Sequence, residues 1–229
     1  MGTDIDTLLW QGQTRPNRGP KPSLSLDRIV TAAVAIADAE GLEGLSMKSL
    51  ATRLNSGVMS IYRYVPGKEE LIALMIDAAV GEPPRVPDGT GWREGIRLCA
   101  RAIRGFFLAH PWALPLVTKG RAIGPNETGW LESQLTALSS LDVSPGTRLN
   151  LAMAVSSYVR GAVTPELFGE DNGELRFAFL DHPDSHARFP MLAHTLTSID
   201  PGTDEGFDSF FEFGLTRMLD GIAARFDRE

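Results

Sequence analysis

Apolar residues recur every three or four positions through most of this chain, the spacing that places them on one face of an α-helix. The first such stretch follows Ser25, a residue type that caps helix N-termini, and ends at Gly41, a residue type common just after helix C-termini. No stretch of useful length alternates apolar and polar residues as a half-buried strand would. The pattern therefore predicts an all-α protein.

Three shorter periodic stretches follow the first helix. Ser46 can cap a short second helix, and Asn55-Ser56-Gly57 predicts a tight turn because Asn and Gly tolerate left-handed backbone angles. A third short helix is predicted over 58–64, ended by Pro66-Gly67, and a fourth over 68–80. Two short helices joined by a three-residue turn form a helix-turn-helix, whose second helix is free to enter a DNA major groove.

The chain divides into an arm, a predicted DNA-binding domain and a larger body. Residues 1–24 are predicted to be a flexible basic arm, since "RPNRGPKPS" holds three prolines and three basic residues. Such an arm is either a disordered tail or a segment that lies along a DNA groove. The Pro- and Gly-rich stretch 81–91 separates the predicted DNA-binding domain, 25–80, from the body, 92–229. Helices of the body are predicted over 92–110, 127–141, 147–164, 185–198 and 204–225, with a loop over 165–184.

The net charge of −7 argues against indiscriminate binding to nucleic acid, but this charge is unevenly distributed. The segment from Arg15 to Lys68 holds eight of the 22 basic residues and four of the 29 acidic ones, so it carries +4 and the remainder −11. A basic head on an acidic body permits local contact with phosphates while the body stays away from the polymer.

The third predicted helix presents residue types that read DNA. Its apolar face consists of Val58, Ile61 and Val65. On the opposite face, Arg63 can donate bidentately to guanine O6 and N7, Ser60 can hydrogen-bond a base or phosphate, and Met59 can touch a thymine methyl group. The alternative for Arg63 is a solvated surface position.

Three further residues are suited to phosphate contacts. Tyr62 and Tyr64 offer phenolic hydroxyl groups, although the Tyr62 ring can instead be a core aromatic. Lys68 begins the fourth helix, where its charge and the free backbone N–H groups together attract a phosphate. The alternative for Lys68 is a surface ion pair with a neighbouring glutamate.

The stretch "LSMKSLATRLNSGVMSIYRYVPGKEELIALMID" resembles the DNA-binding domain of the tetracycline-repressor (TetR) family of bacterial transcriptional regulators, and the resemblance covers about residues 26–79. It implies an all-helical homodimer that binds a palindromic operator and carries ligand-binding C-terminal domains. Asn55-Ser56 stands where the family usually has Gly and an apolar residue, so Ser56 loses an apolar contact there. By position, the implied DNA contacts are Lys48, Val58, Met59, Ser60, Tyr62, Arg63, Tyr64 and Lys68.

Two helices of the body carry wide apolar stripes. In the last helix these residues are Phe207, Phe211, Gly214, Leu215, Met218, Ile222 and Phe226. In the 147–164 helix they are Leu151, Ala152, Val155, Val159 and Val163. Two such helices from each subunit would form a four-helix dimer interface, and the alternative is that both stripes are buried within one subunit.

The stretches "FEFGLTRMLDGIAARF" and "GWREGIRLCARAIRGFFLAHPWALPLV" resemble tetracycline-repressor-like C-terminal domains. Cys99 and Ile103 fall where the tetracycline-binding proteins carry a polar amide and an aromatic residue, so tetracycline recognition is not implied. A pocket for a hydrophobic small molecule is still expected, although apolar residues at helical spacing are commonly core. The predicted lining residues are Cys99, Ile103, Phe106, Phe107, Trp112, Leu116, Trp130, Met153 and Tyr158.

The sequence offers no catalytic constellation, so we expect neither enzymatic activity, nor a cofactor, nor a metal site. Cys99 is predicted to be a buried, inert thiol, and the histidines of "DHPDSHARF" are predicted to lie in a solvated loop. The N-terminus lacks the apolar core of a signal peptide, and no apolar run is long enough to span a membrane. We therefore expect a cytoplasmic protein.

The sequence as a whole predicts a dimeric, sequence-specific transcriptional regulator of double-stranded DNA. The expected mode is a repressor that leaves its operator when a small-molecule effector binds the body. The alternative is a helix-turn-helix architectural or adaptor protein without a small-molecule ligand.

Overall fold

The computed structural model describes residues 5–11, 24–168, 184–198 and 207–226, and the regular structure within these ranges is helical. The all-α prediction is therefore confirmed. The described part of the chain also contains one 3₁₀ turn, Pro111–Ala113. The helices are α1 Ile5–Gln11, α2 Leu26–Gly44, α3 Met47–Arg53, α4 Val58–Tyr62, α5 Lys68–Val80, α6 Trp92–Ala109, α7 Leu114–Val117, α8 Pro125–Ala137, α9 Pro145–Phe168, α10 Ser185–Arg188, α11 Pro190–Thr197 and α12 Phe207–Phe226.

Side-chain caps start the helices of the DNA-binding domain where the sequence predicts. The Ser25 hydroxyl accepts a hydrogen bond from the Arg28 backbone N–H, 3.2 Å away, at the start of α2. Ser46 and Ser49 satisfy each other's backbone N–H groups in a capping box at the start of α3. The regular part of α2 ends at Gly41, as predicted, because Gly41 adopts φ 69° and a short further turn follows it.

The structure differs from the predicted flexible arm over residues 5–11. These residues form α1, which packs against α5 and buries Leu9 almost completely. The prediction treated 1–24 as one segment because its proline-rich part holds nothing apolar, whereas the preceding residues supply an apolar helical face. Residues 12–23, with the predicted basic positions, lie outside the described residues.

The chain forms two compact units, residues 1–156 and 157–229, and the division falls inside α9. It does not fall at the predicted boundary 81–91, because α5 packs against α8 and α2 packs against the 3₁₀ turn. The DNA-binding helices therefore share one packed unit with the first part of the body. The ranges 25–80 and 92–229 therefore stay a prediction of functional domains, and they do not coincide with the two compact units.

The apolar stripes of α9 and α12 are largely buried within a single chain, which is the alternative that the sequence left open. The buried members are Ala152, Val155, Val159, Val163, Phe211, Leu215 and Ile222. In the second unit, the Tyr158 hydroxyl donates to the Phe211 carbonyl oxygen at 2.8 Å, and burial raises the pKa of Tyr158. A side chain at Gly214 would overlap the Tyr158 ring, so this glycine permits the close approach of α9 and α12.

Candidate nucleic-acid interface and effector site

The helix α4 is anchored in the domain by two residues with no solvent exposure, Ile61 within the helix and Val65 just after it. It begins after Asn55, which adopts φ 49°, the left-handed conformation predicted for the turn. The helix is shorter than the predicted 58–64, because Arg63 is already its C-cap. Val58 was predicted to be buried but is only half-buried, since it lies at the first position of the helix.

The outer face of α4 carries the residues predicted to read bases. Met59 is 73% exposed, Arg63 is exposed, and Ser60 is half-buried. Ser60 and Arg63 also line an open hollow of about 440 Å³ beside the turn at Asn55. The buried side of the helix thus fixes its position while three chemically different side chains point outward.

The two tyrosines that flank Arg63 occupy different environments. Tyr62 is 42% exposed, so the core position considered for its ring is not observed. Tyr64 is half-buried, and its hydroxyl donates to the carbonyl oxygen of Leu24 at 3.0 Å. A phenol has one O–H donor, so the donor that Tyr64 would offer a phosphate is already engaged within the protein.

The two predicted lysine contacts also differ. Lys48 is exposed on α3. Lys68 begins α5, and its Nζ donates to the carbonyl oxygen of Leu45 at 2.9 Å, just after the end of α2. An ammonium group has three N–H donors, so this bond leaves two for a phosphate.

Asp77 forms a buried polar junction that the sequence analysis missed. It lies on α5 with 4% exposure, and its Oδ1 accepts from the backbone N–H groups of Asn126 at 2.9 Å and Glu127 at 3.2 Å. It therefore caps the N-terminus of α8. Burial raises the pKa of the Asp77 carboxyl, and the two backbone N–H bonds oppose that rise. An acidic residue in the apolar run "LIALMIDAAV" was the available signal.

A cleft of about 400 Å³ lies beside the start of α5. It is lined by Ile5 of α1, by Glu69 and Glu70 of α5, by Leu116 of α7 and by Arg121 in the segment that follows α7. The Arg121 guanidinium is engaged by the Glu127 carboxylate, with Nη1 2.7 Å from Oε1. Leu116 is the one predicted ligand-lining residue among those that line this cleft.

Several of the predicted ligand-lining residues form an aromatic cluster on α6 and α8. The Phe106 ring centroid lies 5.0 Å from that of Phe107 and 6.4 Å from that of Trp130. Cys99 and Ile103 are buried on the same helix α6, and Trp112 is buried on the 3₁₀ turn. Cys99 is buried, as predicted, and this burial raises the pKa of its thiol to about 11.

Two of the predicted lining residues lie elsewhere. Met153 is 47% exposed on α9, because it stands on the face of that helix opposite the buried stripe. Tyr158 belongs to the second unit, where its hydroxyl is bonded to the Phe211 carbonyl oxygen. Neither observation places these two side chains with the aromatic cluster.

A metal-binding cluster and a membrane-spanning helix are both absent from the described ranges. No group of three His, Cys, Asp or Glu side chains there is arranged to hold a metal ion. Asp181 and His182 of the predicted histidine loop lie outside these ranges. None of the described helices is long and apolar enough to cross a membrane.

Comparison with known proteins gives matches along almost the whole chain. Residues 29–75 match the family "Bacterial regulatory proteins, tetR family", and residues 83–226 match "Tetracyclin repressor-like, C-terminal domain". The "HTH-type transcriptional repressor DrrR1" of Streptomyces coeruleorubidus is 39% identical over 227 residues, which cover 94% of this chain and 83% of the relative.

Two further similarities are more distant. "Tetracycline repressor protein class A from transposon 1721" of Escherichia coli is 26% identical over 207 residues, covering 88% of this chain and 92% of the relative. The crystal structure of the Streptomyces coelicolor TetR family protein ActR in complex with actinorhodin is 28% identical and has a TM-score of 0.74. That similarity covers 90% of this chain and 98% of ActR.

Proposed function

The chain belongs to the tetR family of bacterial regulatory proteins, and from this premise we propose that it is a repressor released from a palindromic operator by a small hydrophobic ligand. The observation that carries the proposal is the outer face of α4. The helix packs inward through Ile61, which has no solvent exposure, and presents Met59 and Arg63 to solvent with the half-buried Ser60 beside them. Such a helix can enter a major groove without rearrangement of the domain.

Base reading is assigned to Arg63, with Ser60 and Met59 beside it. The guanidinium fork matches the two acceptors of guanine, and the thioether methyl of Met59 suits a thymine methyl group. Tyr62 and Lys48 are exposed beside this face and are assigned to phosphates. Val58 is assigned an apolar contact at the start of α4. Tyr64 is assigned a structural role through its bond to Leu24, and Lys68 is assigned a phosphate contact in addition to its bond to Leu45.

A homodimer supplies the second recognition helix that a palindromic operator requires. The buried stripes of α9 and α12 are already covered, so the interface is assigned to other faces of the same helices. Those faces expose large apolar residues, and exposed apolar patches commonly mark protein–protein interfaces. They are Leu149, Met153, Phe210 and Phe213.

The effector site is assigned to the aromatic cluster of Phe106, Phe107 and Trp130, together with Cys99 and Ile103, which are buried on the same helix as the two phenylalanines. Flat apolar side chains favour an aromatic or otherwise hydrophobic molecule. ActR, the solved structure described above, binds actinorhodin and, in a second structure, (S)-DNPA. A ligand of comparable chemistry is the first choice for this chain.

The protein is proposed to regulate and not to catalyse, acting in the cytoplasm where bacterial DNA is found. The relatives named above are transcriptional regulators or repressors.

The decisive experiment has two steps. First, DNA bound by the purified protein is selected from a random pool, and the proposal requires a palindromic consensus. Second, actinorhodin is titrated into the complex with the selected site, followed by a panel of hydrophobic aromatic molecules. A pool that stays random after selection would show binding without sequence preference and would overturn the proposed function.

A further inference from the structure

Two tryptophans of the body donate their indole N–H groups to the two long helices of the DNA-binding domain. Trp112 Nε1 lies 2.6 Å from Oδ1 of Asp38 on α2. Trp130 Nε1 lies 3.1 Å from the carbonyl oxygen of Gly81, the C-cap of α5. These two hydrogen bonds are called the indole contacts below.

The hydrogen bond from Trp112 is made to α2 close to the C-terminal end of that helix. Asp38 stands three residues before the kink at Gly41, and the same Oδ1 atom lies 2.7 Å from Nδ1 of His110. Trp112 is 6% exposed, so its N–H is removed from water and depends on a partner within the protein. The partner is a carboxylate, which is a stronger acceptor than a neutral group.

The hydrogen bond from Trp130 is made to the C-cap of α5. The last carbonyl groups of a helix have no backbone N–H partner within the helix. The indole N–H of Trp130 supplies a donor to the carbonyl oxygen of Gly81. Trp130 lies on α8, whose N-terminus is capped by Asp77 of α5. Hydrogen bonds at two positions, Asp77 and Gly81, therefore hold the last turn of α5 against α8.

The indole contacts are joined by a row of rings. The ring centroids of Trp112 and His110 lie 6.0 Å apart, those of His110 and Phe106 5.6 Å, and those of Phe106 and Trp130 6.4 Å. α2 and α5 pack on each other, and α2 also packs on α3, which carries α4. The row thus attaches to the domain at both helices that determine where α4 lies relative to the body.

We infer that Trp112 and Trp130 are positioning residues that set, through their indole N–H groups, the half-site spacing that the repressor accepts. The inference rests on the proposed function. In a dimer, the distance between the two recognition helices follows from the orientation of each DNA-binding domain on its body, and it must match roughly 34–36 Å for successive major grooves. Loss of the N–H donors frees that orientation.

The test compares variants on a series of operators. Trp112→Phe and Trp130→Phe remove the N–H groups and keep an aromatic ring, alone and together. Trp10→Phe is the matched control, because Trp10 is 49% exposed on α1. Affinity is measured for the selected operator and for versions with one or two base pairs added or removed between the half-sites.

The expected result is a loss of discrimination. Each Trp→Phe change should reduce the ratio between the best and the altered spacings by about 2- to 10-fold, the range for one lost hydrogen bond. The wild-type protein and Trp10→Phe should keep the full ratio. A uniform loss of affinity at every spacing would mean a merely structural role and would overturn the inference.

Asp38 provides a second route to the same answer if the tryptophan variants do not fold. Asp38→Ala removes the acceptor and should relax the spacing preference, whereas Asp38→Asn keeps an oxygen acceptor and should restore it. Equal behaviour of these two variants would overturn the inference. If no sequence is selected from the random pool, both the proposed function and this inference are wrong. If a palindromic sequence is selected but the variants keep the wild-type spacing preference, only the inference is wrong.

Discussion

The hydroxyl of Tyr64 donates a hydrogen bond to the carbonyl oxygen of Leu24, 3.0 Å away and forty positions earlier in the chain. Tyr64 lies just after Arg63, the C-cap of α4, and Leu24 lies just before the Ser25 cap of α2. The bond therefore ties the end of the recognition helix to the point where the N-terminal residues join the domain. Tyr62, two positions earlier, is exposed instead.

Tyr64→Phe should destabilise the domain, whereas Tyr62→Phe should weaken DNA binding. Loss of the bond to Leu24 should lower the free energy of unfolding by about 0.5–1.5 kcal/mol. Tyr62→Phe removes only an exposed hydroxyl, so the midpoint of thermal unfolding should stay unchanged. Melting curves and binding isotherms of both variants check this division of roles, and the reverse pattern would contradict it.

Lys68→Ala should change both stability and the salt dependence of binding. The lost bond to Leu45 lowers the free energy of unfolding, and a lost phosphate contact reduces the slope of log affinity against log salt by about 0.9. Lys48→Ala is the matched control, since Lys48 is exposed and should change the slope alone. A normal slope in Lys68→Ala would identify this lysine as an internal brace with no phosphate contact.

Arg63→Ala should weaken binding to the selected operator by roughly 1–3 kcal/mol and relax the preference at one base position. The reason is that a bidentate contact to guanine is lost while the phosphate contacts remain. Selection from a random pool with the variant measures the preference directly. Arg53→Ala, which removes an exposed arginine of α3, is the control. Equal weakening on every sequence would exclude base reading by Arg63.

Local features of the DNA-binding domain could be predicted because their causes lie within a few residues. Ser25 and Ser46 cap the helices that follow them, and Asn55 adopts the left-handed angle that the turn needs. The bonds from Tyr64 and Lys68 could not be predicted, because they join positions forty and 23 apart. Side-chain chemistry indicated a donor in both cases but gave no information about its partner.

In the body, too, the sequence could not predict which residues pack together across long distances in the chain. Periodicity identified the apolar stripes of α9 and α12, but the same pattern fits a core and a dimer interface equally well. Burial of Val159 and Phe211 within one chain decides between them. The predicted ligand-lining set contains the aromatic cluster, but it also contains Met153 and Tyr158, because apolar residues at helical spacing do not by themselves show which helix faces line a pocket.

Phe213→Asp should convert the dimer to a monomer. Phe213 is 68% exposed on α12, and a charge in the centre of an apolar interface is unfavourable. Met191→Asp is the matched control, because Met191 is 76% exposed on α11, which is not assigned to the interface. Sedimentation equilibrium at micromolar concentration measures the change. A dimer that survives Phe213→Asp would place the interface on another face.

The pH dependence of stability should report on Asp77. Burial raises its folded-state pKa above the ordinary value of 3.8, so the folded protein keeps this proton at a pH where the unfolded chain has lost it. The contribution of Asp77 to the free energy of unfolding is therefore greatest below pH 3.8 and decreases as the pH rises through the folded-state pKa.

Asp77→Asn separates this titration from the helix cap. The amide oxygen can still accept from the backbone N–H groups of Asn126 and Glu127, but it carries no proton to lose. The variant should match the wild-type protein most closely at low pH and gain relative stability as the pH rises above about 4. Asp142→Asn, at an exposed position, controls for the loss of one negative charge. Thermal unfolding from pH 4 to pH 8 measures the difference, and a constant difference across that range would show that Asp77 titrates alike in both states.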